Sequence, residues 1–425
     1  MKIVADLHIH SHFSRATSKD MNIANLEKYG LMKGVNLIGC GDFTHPAWLA
    51  ELKSVLKPVD DSGFFNYKDK NMLFALSAEI SLIYSQDGKL RKIHNVLLAP
   101  SFEIVEQINE WLGKYGNLSA DGRPVFGKIT CPELVEAMMQ ISKDIMVIPA
   151  HAWTPWFSLF GSMSGFDSID DCFQDQIKNI FAIETGLSSD PAMNWRLSQL
   201  DRFALVSNSD CHSYYPWRLG REANVFEIKP TYTELVNAIK NKDPKRFLFT
   251  IETDPKYGKY HWDGHRFCNV VMSPKEALAH KNTCPVCGRQ LTIGVEHRVE
   301  ELADRPEGFV PKGAIPFKSL LPLSELIGGL YNMQPFSKKV FEIYSKLMKA
   351  FGNEFTVLLD VPEERLKAVV DEKIVTAIMR NRCGQIIVRP GYDGIYGVPV
   401  FEASEITEVQ KSRSPQSTLD KYVKK

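Results

Sequence analysis

Up to about residue 250 the chain alternates short apolar runs with segments whose apolar positions recur every three or four residues. The runs predict strands at Ile3–Leu7, Asn36–Cys40, Met72–Ala78, Asn95–Ala99, Ile145–Ala150, Asn179–Ile183 and Ala204–Ser207. The periodic segments Met21–Lys33, Cys131–Ser142 and Tyr232–Asn241 predict helices between several of them. Strand and helix in alternation predict an α/β fold with a parallel barrel or sheet, whose site lies at the strands' carboxyl ends. From about 255 the pattern changes to a short Cys/His-rich stretch, then a Pro/Gly-bearing joint, Pro306 to Pro316, and a helical region over roughly Leu320–Arg382. A turn-rich loop, Gly391 to Gly397, follows, and from about Ser404 the chain is polar and reads as a flexible tail. The expected units are 1–252, 253–306, 307–403 and 404–425.

Composition narrows the class without naming a function. The 425 residues are 44% hydrophobic and 24% charged, as in a globular protein of more than one core. The 51 basic and 51 acidic side chains cancel, so any nucleic-acid binding has to come from local patches. No apolar run reaches the roughly 18 residues of a membrane span, and the amino terminus has no signal-peptide core. A cytoplasmic protein with no membrane partner is expected. Five of the eight cysteines are scattered as buried thiols usually are, which excludes a disulfide framework.

Metal-capable side chains recur where the predicted strands end. Asp6-Leu7-His8-Ile9-His10 closes the first, and alternation puts Asp6, His8 and His10 on one side. Asp42 and His45 follow the second, Glu79 the third, and His94 opens the fourth. His151 and Glu184 follow the next two, and Asp210 and His212 stand in Ser209-Asp210-Cys211-His212. A single histidine of this kind is more often a hydrogen-bonded surface residue. The set, at successive strand ends, predicts several divalent ions within bridging distance and hence a phosphoesterase that needs no nucleophilic side chain. Cys211 points the other way by alternation and reads as packing.

These motifs resemble those of the PHP phosphoesterase superfamily, whose fold is a distorted (β/α)7-type barrel. Within it the whole chain is similar to the endonuclease Q family of repair nucleases, notably at Gly41-Asp42-Phe43-Thr44-His45-Pro46, His151-Ala152-Trp153-Thr154-Pro155-Trp156 and Leu219-Gly220-Arg221-Glu222-Ala223-Asn224. The resemblance implies one metal held by His8, His10, Glu79 and Asp210. It implies a second held by Glu79, His94 and His151, and a third near Asp42 or His45 with His212. The sequence departs from the superfamily at Gly41-Asp42-Phe43, where many relatives have Thr-Asp-His, and at His12-Phe13-Ser14-Arg15, where they have an early Asp; both departures bear on the third site. The implied activity is hydrolysis of the phosphodiester 5′ of deaminated bases (uracil, hypoxanthine, xanthine) and abasic sites in DNA, with nucleoid association through that DNA. Glu79 and Asp210 would be catalytic ligands, and Arg218 and Arg221 could grip a phosphate oxygen bidentately. Zn²⁺, Mg²⁺ or Mn²⁺ would serve the cluster.

Three further patterns add to this. His265, Cys268, Cys284 and Cys287 have zinc-ribbon spacing and predict a structural Zn²⁺, with His261, His280 and His297 competing for the histidine position. Trp153, Trp156 and, more weakly, Tyr392 and Tyr396 are candidates to stack on an extruded base, against the plainer reading of core packing. In the tail, Gln416, Leu419 and Tyr422 resemble a peptide that binds a sliding clamp of the PCNA type. Two other readings fit parts of the pattern: a phosphomonoesterase of small metabolites, which would not need the Cys/His module, and a non-catalytic clamp- or DNA-binding scaffold, which would not need a full ligand set.

Overall fold

The computed structural model describes residues 1–401. Its centre is a mixed sheet of eleven strands, three of them only two residues long. The strands that position the site are β1 (Lys2–Asp6), β2 (Leu37–Gly39), β3 (Leu73–Gln86), β4 (Lys89–Ala99) and β5 (Met146–Pro149). A separate parallel pair is formed by β6 (Ala182–Glu184) and β7 (Ala204–Val206). On the other side of β1 lie β8 (Ala223–Glu227), β9 (Phe247–Glu252) and β10 (Phe317–Ser319).

The parallel order expected from strand–helix alternation holds for β1, β2 and β3, for the pair β6–β7 and for β9 with β10, but not throughout the sheet. β3 and β4 form a long antiparallel hairpin, β4 pairs antiparallel with β5, and β8 pairs antiparallel with both β1 and β9. The hairpin's cause is local. Asp87 (φ 53°) and Gly88 (φ 71°) are both left-handed, the backbone of a two-residue turn that matches strand twist. An Asp-Gly pair between two alternating runs is therefore a hairpin signal, and it makes the third strand much longer than the expected Met72–Ala78.

Helices pack where the periodicity places them. Ile23–Lys33 is capped by Asn22, whose side chain accepts from the Asn25 amide, and ends at left-handed Gly34. Cys131–Ile141 starts with a full capping box between Thr130 and Glu133. The carboxyl-terminal region is helical, with Leu323–Leu330, Lys338–Phe351 and Glu372–Arg382 as its main helices. Its apolar residues join the same core as the sheet's, and Lys33 is buried against Glu354 at 2.6 Å. The Pro216 carbonyl also accepts from that ammonium at 2.8 Å, and Glu354 accepts in addition from Tyr344 and the Leu323 amide. The loop Gly391 to Gly397 is the link of a small hairpin between Ile387–Arg389 and Val398–Val400. Among the described residues, no helix is long and apolar enough to cross a membrane.

Backbone bonds draw the ends of β1, β5, β6 and β7 together. The Asp210 amide donates to the His8 carbonyl at 2.9 Å, the His10 amide to Cys211 at 3.1 Å, and the Ala152 amide to Glu184 at 3.0 Å.

Candidate metal centre

Glu79 lies at the middle of β3, fully buried, and five side chains, His8, His10, His94, Arg123 and His151, converge on its carboxylate. Donor atoms of His8, His10, Glu79 and Asp210 all lie within 4.8 Å of one another, as do those of Glu79, His94 and His151. His10 Nε2 is 3.2 Å from Glu79 and 3.1 Å from Asp210, while His94 Nδ1 and His151 Nε2 stand 2.6 and 3.0 Å from the other Glu79 oxygen. His8 Nε2 is buried with no hydrogen-bond partner, 3.7 Å from both Glu79 and Asp210. Such an orphaned buried atom is costly, and it fits a cation at the point that the group faces.

The aim of each ring is fixed from behind. Glu184 accepts from His8 Nδ1 at 3.0 Å and from the His151 amide at 2.8 Å; Asp42 takes His10 Nδ1 at 3.0 Å. A carboxylate on one ring nitrogen holds the imidazole in the tautomer that frees the other for a metal. Asp42 is itself tied by Ser11 and Ser14, and Asp6 is occupied by Ser209 and the Gly220 amide. Asp42, His151 and Asp210 have φ of 47°, 30° and 45°, left-handed values that non-glycine residues rarely adopt. Such backbone is held only where its surroundings over-determine it, as at functional sites.

Burial penalises every charge here. It opposes the ionisation of Glu79, yet the charges of His94, Arg123 and His8 together hold that carboxyl well below the usual range. Burial drives His94 and His212 down to about 4. For Asp6, burial wins over its Ser209 and Gly220 bonds and pushes the carboxyl up to about 6.

Several expected residues are placed elsewhere. No third ligand group forms around Asp42, His45 and His212 among the described residues. Asp42 serves His10, His45 stacks on Phe13 at 4.1 Å, and His212 stacks on His10 at 4.5 Å with its Nδ1 bonded to Thr17. Trp153 is 1% exposed, its indole N–H on Asn194 and its ring against Phe160, so its faces are covered by core. Tyr392 is 9% exposed, packs over Gly264 and bonds Asn269 through its hydroxyl, tying the loop to the Cys/His stretch. Trp156 and Tyr396 are exposed, with the Lys259 ammonium over the Tyr396 ring at 4.6 Å. Arg218 leans on Glu325 at 3.5 Å, and Arg221 donates twice to the Ser209 carbonyl. Gln416, Leu419 and Tyr422 lie outside the described residues.

Reasoning from strand ends misses Arg123, whose Nη1 donates to Glu79 at 3.0 Å. It stands on a loop with no periodicity, and its one local mark is the setting Asp121-Gly122-Arg123-Pro124. Glu184, read only as one more carboxylate at a strand end, is the orienting partner of two histidines.

A second group assembles from His265, Cys268, Cys284 and Cys287, again with donor atoms within 4.8 Å of one another. His265 Nδ1 is 3.6 Å from Cys287 Sγ. Of its competitors, His297 bonds Asp263 at 2.6 Å and His261 faces Glu296 at 3.5 Å.

Comparison with known proteins follows this geometry. A family model described as the MJ0043 C-terminal domain matches residues 322–385. The crystal structure of the lesion-specific endonuclease PfuEndoQ from Pyrococcus furiosus is similar at 33% identity, with 97% of each chain covered and a TM-score of 0.84. That of endonuclease Q with a 27-mer duplex substrate bearing an abasic lesion at the active site is similar at 34% identity, covering 95% of this chain and 98% of that one, with a TM-score of 0.85. An uncharacterized protein of Methanocaldococcus jannaschii is 33% identical over 280 residues, 64% of this chain; the chain spans only 34% of that relative's length.

Proposed function

This chain belongs to the endonuclease Q family, and from that premise we propose that it is a metal-dependent DNA repair endonuclease. It cuts the phosphodiester 5′ of deaminated bases (uracil, hypoxanthine, xanthine) and of abasic sites. The observation that carries the reading is the convergence of two ligand groups on one buried carboxylate, Glu79. His8, His10, Glu79 and Asp210 would hold one divalent ion and Glu79, His94 and His151 another. Zn²⁺, Mg²⁺ or Mn²⁺ bound there would supply Lewis acidity and activate water at neutral pH.

The protein's own part is preorganisation. Glu184 and Asp42 lock His8 and His10, and the left-handed backbone at His151 and Asp210 sets those two side chains. Trp156 and Tyr396 are exposed aromatics on which an extruded base could stack, the form in which base-reading enzymes take their target. Arg218 and Arg221 would contact the DNA. His265, Cys268, Cys284 and Cys287 would hold a structural Zn²⁺. On this reading residues 1–252 form a distorted PHP-type barrel, followed by a zinc module at 253–306 and a helical domain at 307–403 that lends the strand Phe317–Ser319 to the main sheet. The tail, 404–425, docks on a PCNA-type sliding clamp through Gln416, Leu419 and Tyr422.

The test is cleavage. Chelated protein, with and without added Mn²⁺, Mg²⁺ or Zn²⁺, is incubated with labelled duplexes carrying one uracil, hypoxanthine, xanthine or abasic site. Metal-dependent nicking on the 5′ side of the lesion is expected, and none on undamaged duplex. Turnover only of small phosphomonoesters, or no turnover of either kind, overturns the reading. Calorimetry of the tail peptide against a clamp, with Leu419→Ala/Tyr422→Ala as control, tests the docking by itself; equal affinities remove it.

A further inference from the structure

The three arginines near the cluster are not equivalent. Arg218 is drawn towards Glu325, and Arg221 spends two donors on the Ser209 carbonyl. Arg123 is the one whose guanidinium reaches the ligands themselves, 3.0 Å from Glu79, with a side chain 32% exposed at the rim. One of the fork's N–H groups meets Glu79, and a guanidinium has five.

Its loop is built to hold it there. The Gly122 amide donates to the Phe13 carbonyl at 3.1 Å, and the Ser81 amide to the Pro124 carbonyl at 3.0 Å, so the residues on both sides are pinned. Asp121 accepts from the Arg123 amide at 3.1 Å and pairs with Arg15 at 3.2 Å. A Cβ on Gly122 would lie 2.3 Å from Asp42 Oδ2, so glycine is what lets the loop approach the carboxylate behind His10. Glu79 is shared by both ligand groups, so cations on its oxygens would compete with Arg123 for the same lone pairs.

Resting on the proposed endonuclease activity, we infer that Arg123 is a catalytic residue that grips a non-bridging oxygen of the scissile phosphate and stabilises the charge that builds up there. A rim-exposed cation, fixed at both flanks and set at the edge of the ligand cluster, is where an incoming phosphodiester meets its first donor. The fork geometry suits two oxygens in one plane, which an ammonium cannot reproduce.

The experiment uses full-length, metal-loaded protein and a duplex with one abasic site, made with either an ordinary or a methylphosphonate linkage at the cut. Arg123→Ala is expected to lower kcat by about 10²–10³-fold, the loss seen when one preorganised donor is removed. Arg123→Lys should recover part of it, and millimolar guanidinium should partly rescue the alanine variant. Metal content and melting temperature, measured alongside, should match the wild type. The methylphosphonate slows the wild type by removing the charge that Arg123 meets, so it should slow Arg123→Ala far less; interacting partners give non-additive losses. Additive losses, lost metal or unrescued inactivity in both variants would make Arg123 a support for Glu79 and overturn the inference. Full activity of Arg123→Ala beside an active wild type sinks the inference alone, whereas an inactive wild type sinks the endonuclease reading with it.

Discussion

Around Glu79 the ligand side chains of His8, His10, His94 and His151 are buried, and carboxylates hold two of those rings from behind. Around Cys284 the situation is reversed. Cys287 is exposed, Cys268 half-buried, and the apolar cluster beneath is five residues, Val270, Met272, Ala277, Cys284 and Leu291. On the proposed reading the first site is a scaffold that would aim its ligands with or without an ion, and the second a loop that would draw folding energy from one. The same donor chemistry would then serve catalysis in one region and construction in the other, and burial of the supporting shell is what distinguishes the two groups.

The largest effect separates the two at once. Glu79→Ala or Asp210→Ala should abolish nicking while circular dichroism and duplex binding stay near wild type, since core contacts and not the ion hold the strands. Near-normal turnover of either variant would break the comparison. Cys284→Ser or Cys287→Ser should release one metal ion and lower the melting temperature, because part of the ion's large binding free energy is folding free energy. The ions at Glu79 should be retained; unchanged stoichiometry by elemental analysis removes the structural role.

How much of this could be read in the sequence follows from which forces are local. His8, His10, Glu79, Asp210 and the three cysteines announce themselves by residue type at strand ends or by spacing. Arg123 does not, since its position depends on Phe13 and Ser81 holding a non-periodic loop. Trp153 and Tyr392 were legible as aromatics beside polar motifs, but whether a ring faces solvent is set by Asn194, Phe160, Gly264 and Asn269, far away in the chain. The antiparallel hairpin was written in Asp87-Gly88, where turn chemistry outranks strand–helix rhythm.

Two smaller tests sharpen the contrast. Beneath the first site Glu252 is fully buried on Thr185 and Ser207, and burial pushes its carboxyl up to about 8 from 4.5. A raised acid binds its proton more tightly in the fold, so the stability it leaves intact below about 4.5 should drain away as pH rises towards about 8. Glu252→Gln should flatten that fall in melting curves across this window; parallel slopes refute it. In the other region, Tyr392→Phe deletes one hydroxyl bond to Asn269 and should cost only about 1 kcal/mol in thermal unfolding. A loss several times larger would mean that the Cys/His stretch leans on the loop more than on its ion.

The buried Lys33–Glu354 pair has a consequence for how the two parts can be altered. The segment at 322–385 matches a family model of its own. Yet its glutamate neutralises an ammonium rooted in the first helix, which also holds the Pro216 carbonyl. Changing Lys33 to alanine would leave Glu354 buried without its counter-charge, and breaking such a pair from one side costs about 3–5 kcal/mol. One side chain of the first helix thus decides whether the carboxyl-terminal segment can keep an acid in its core.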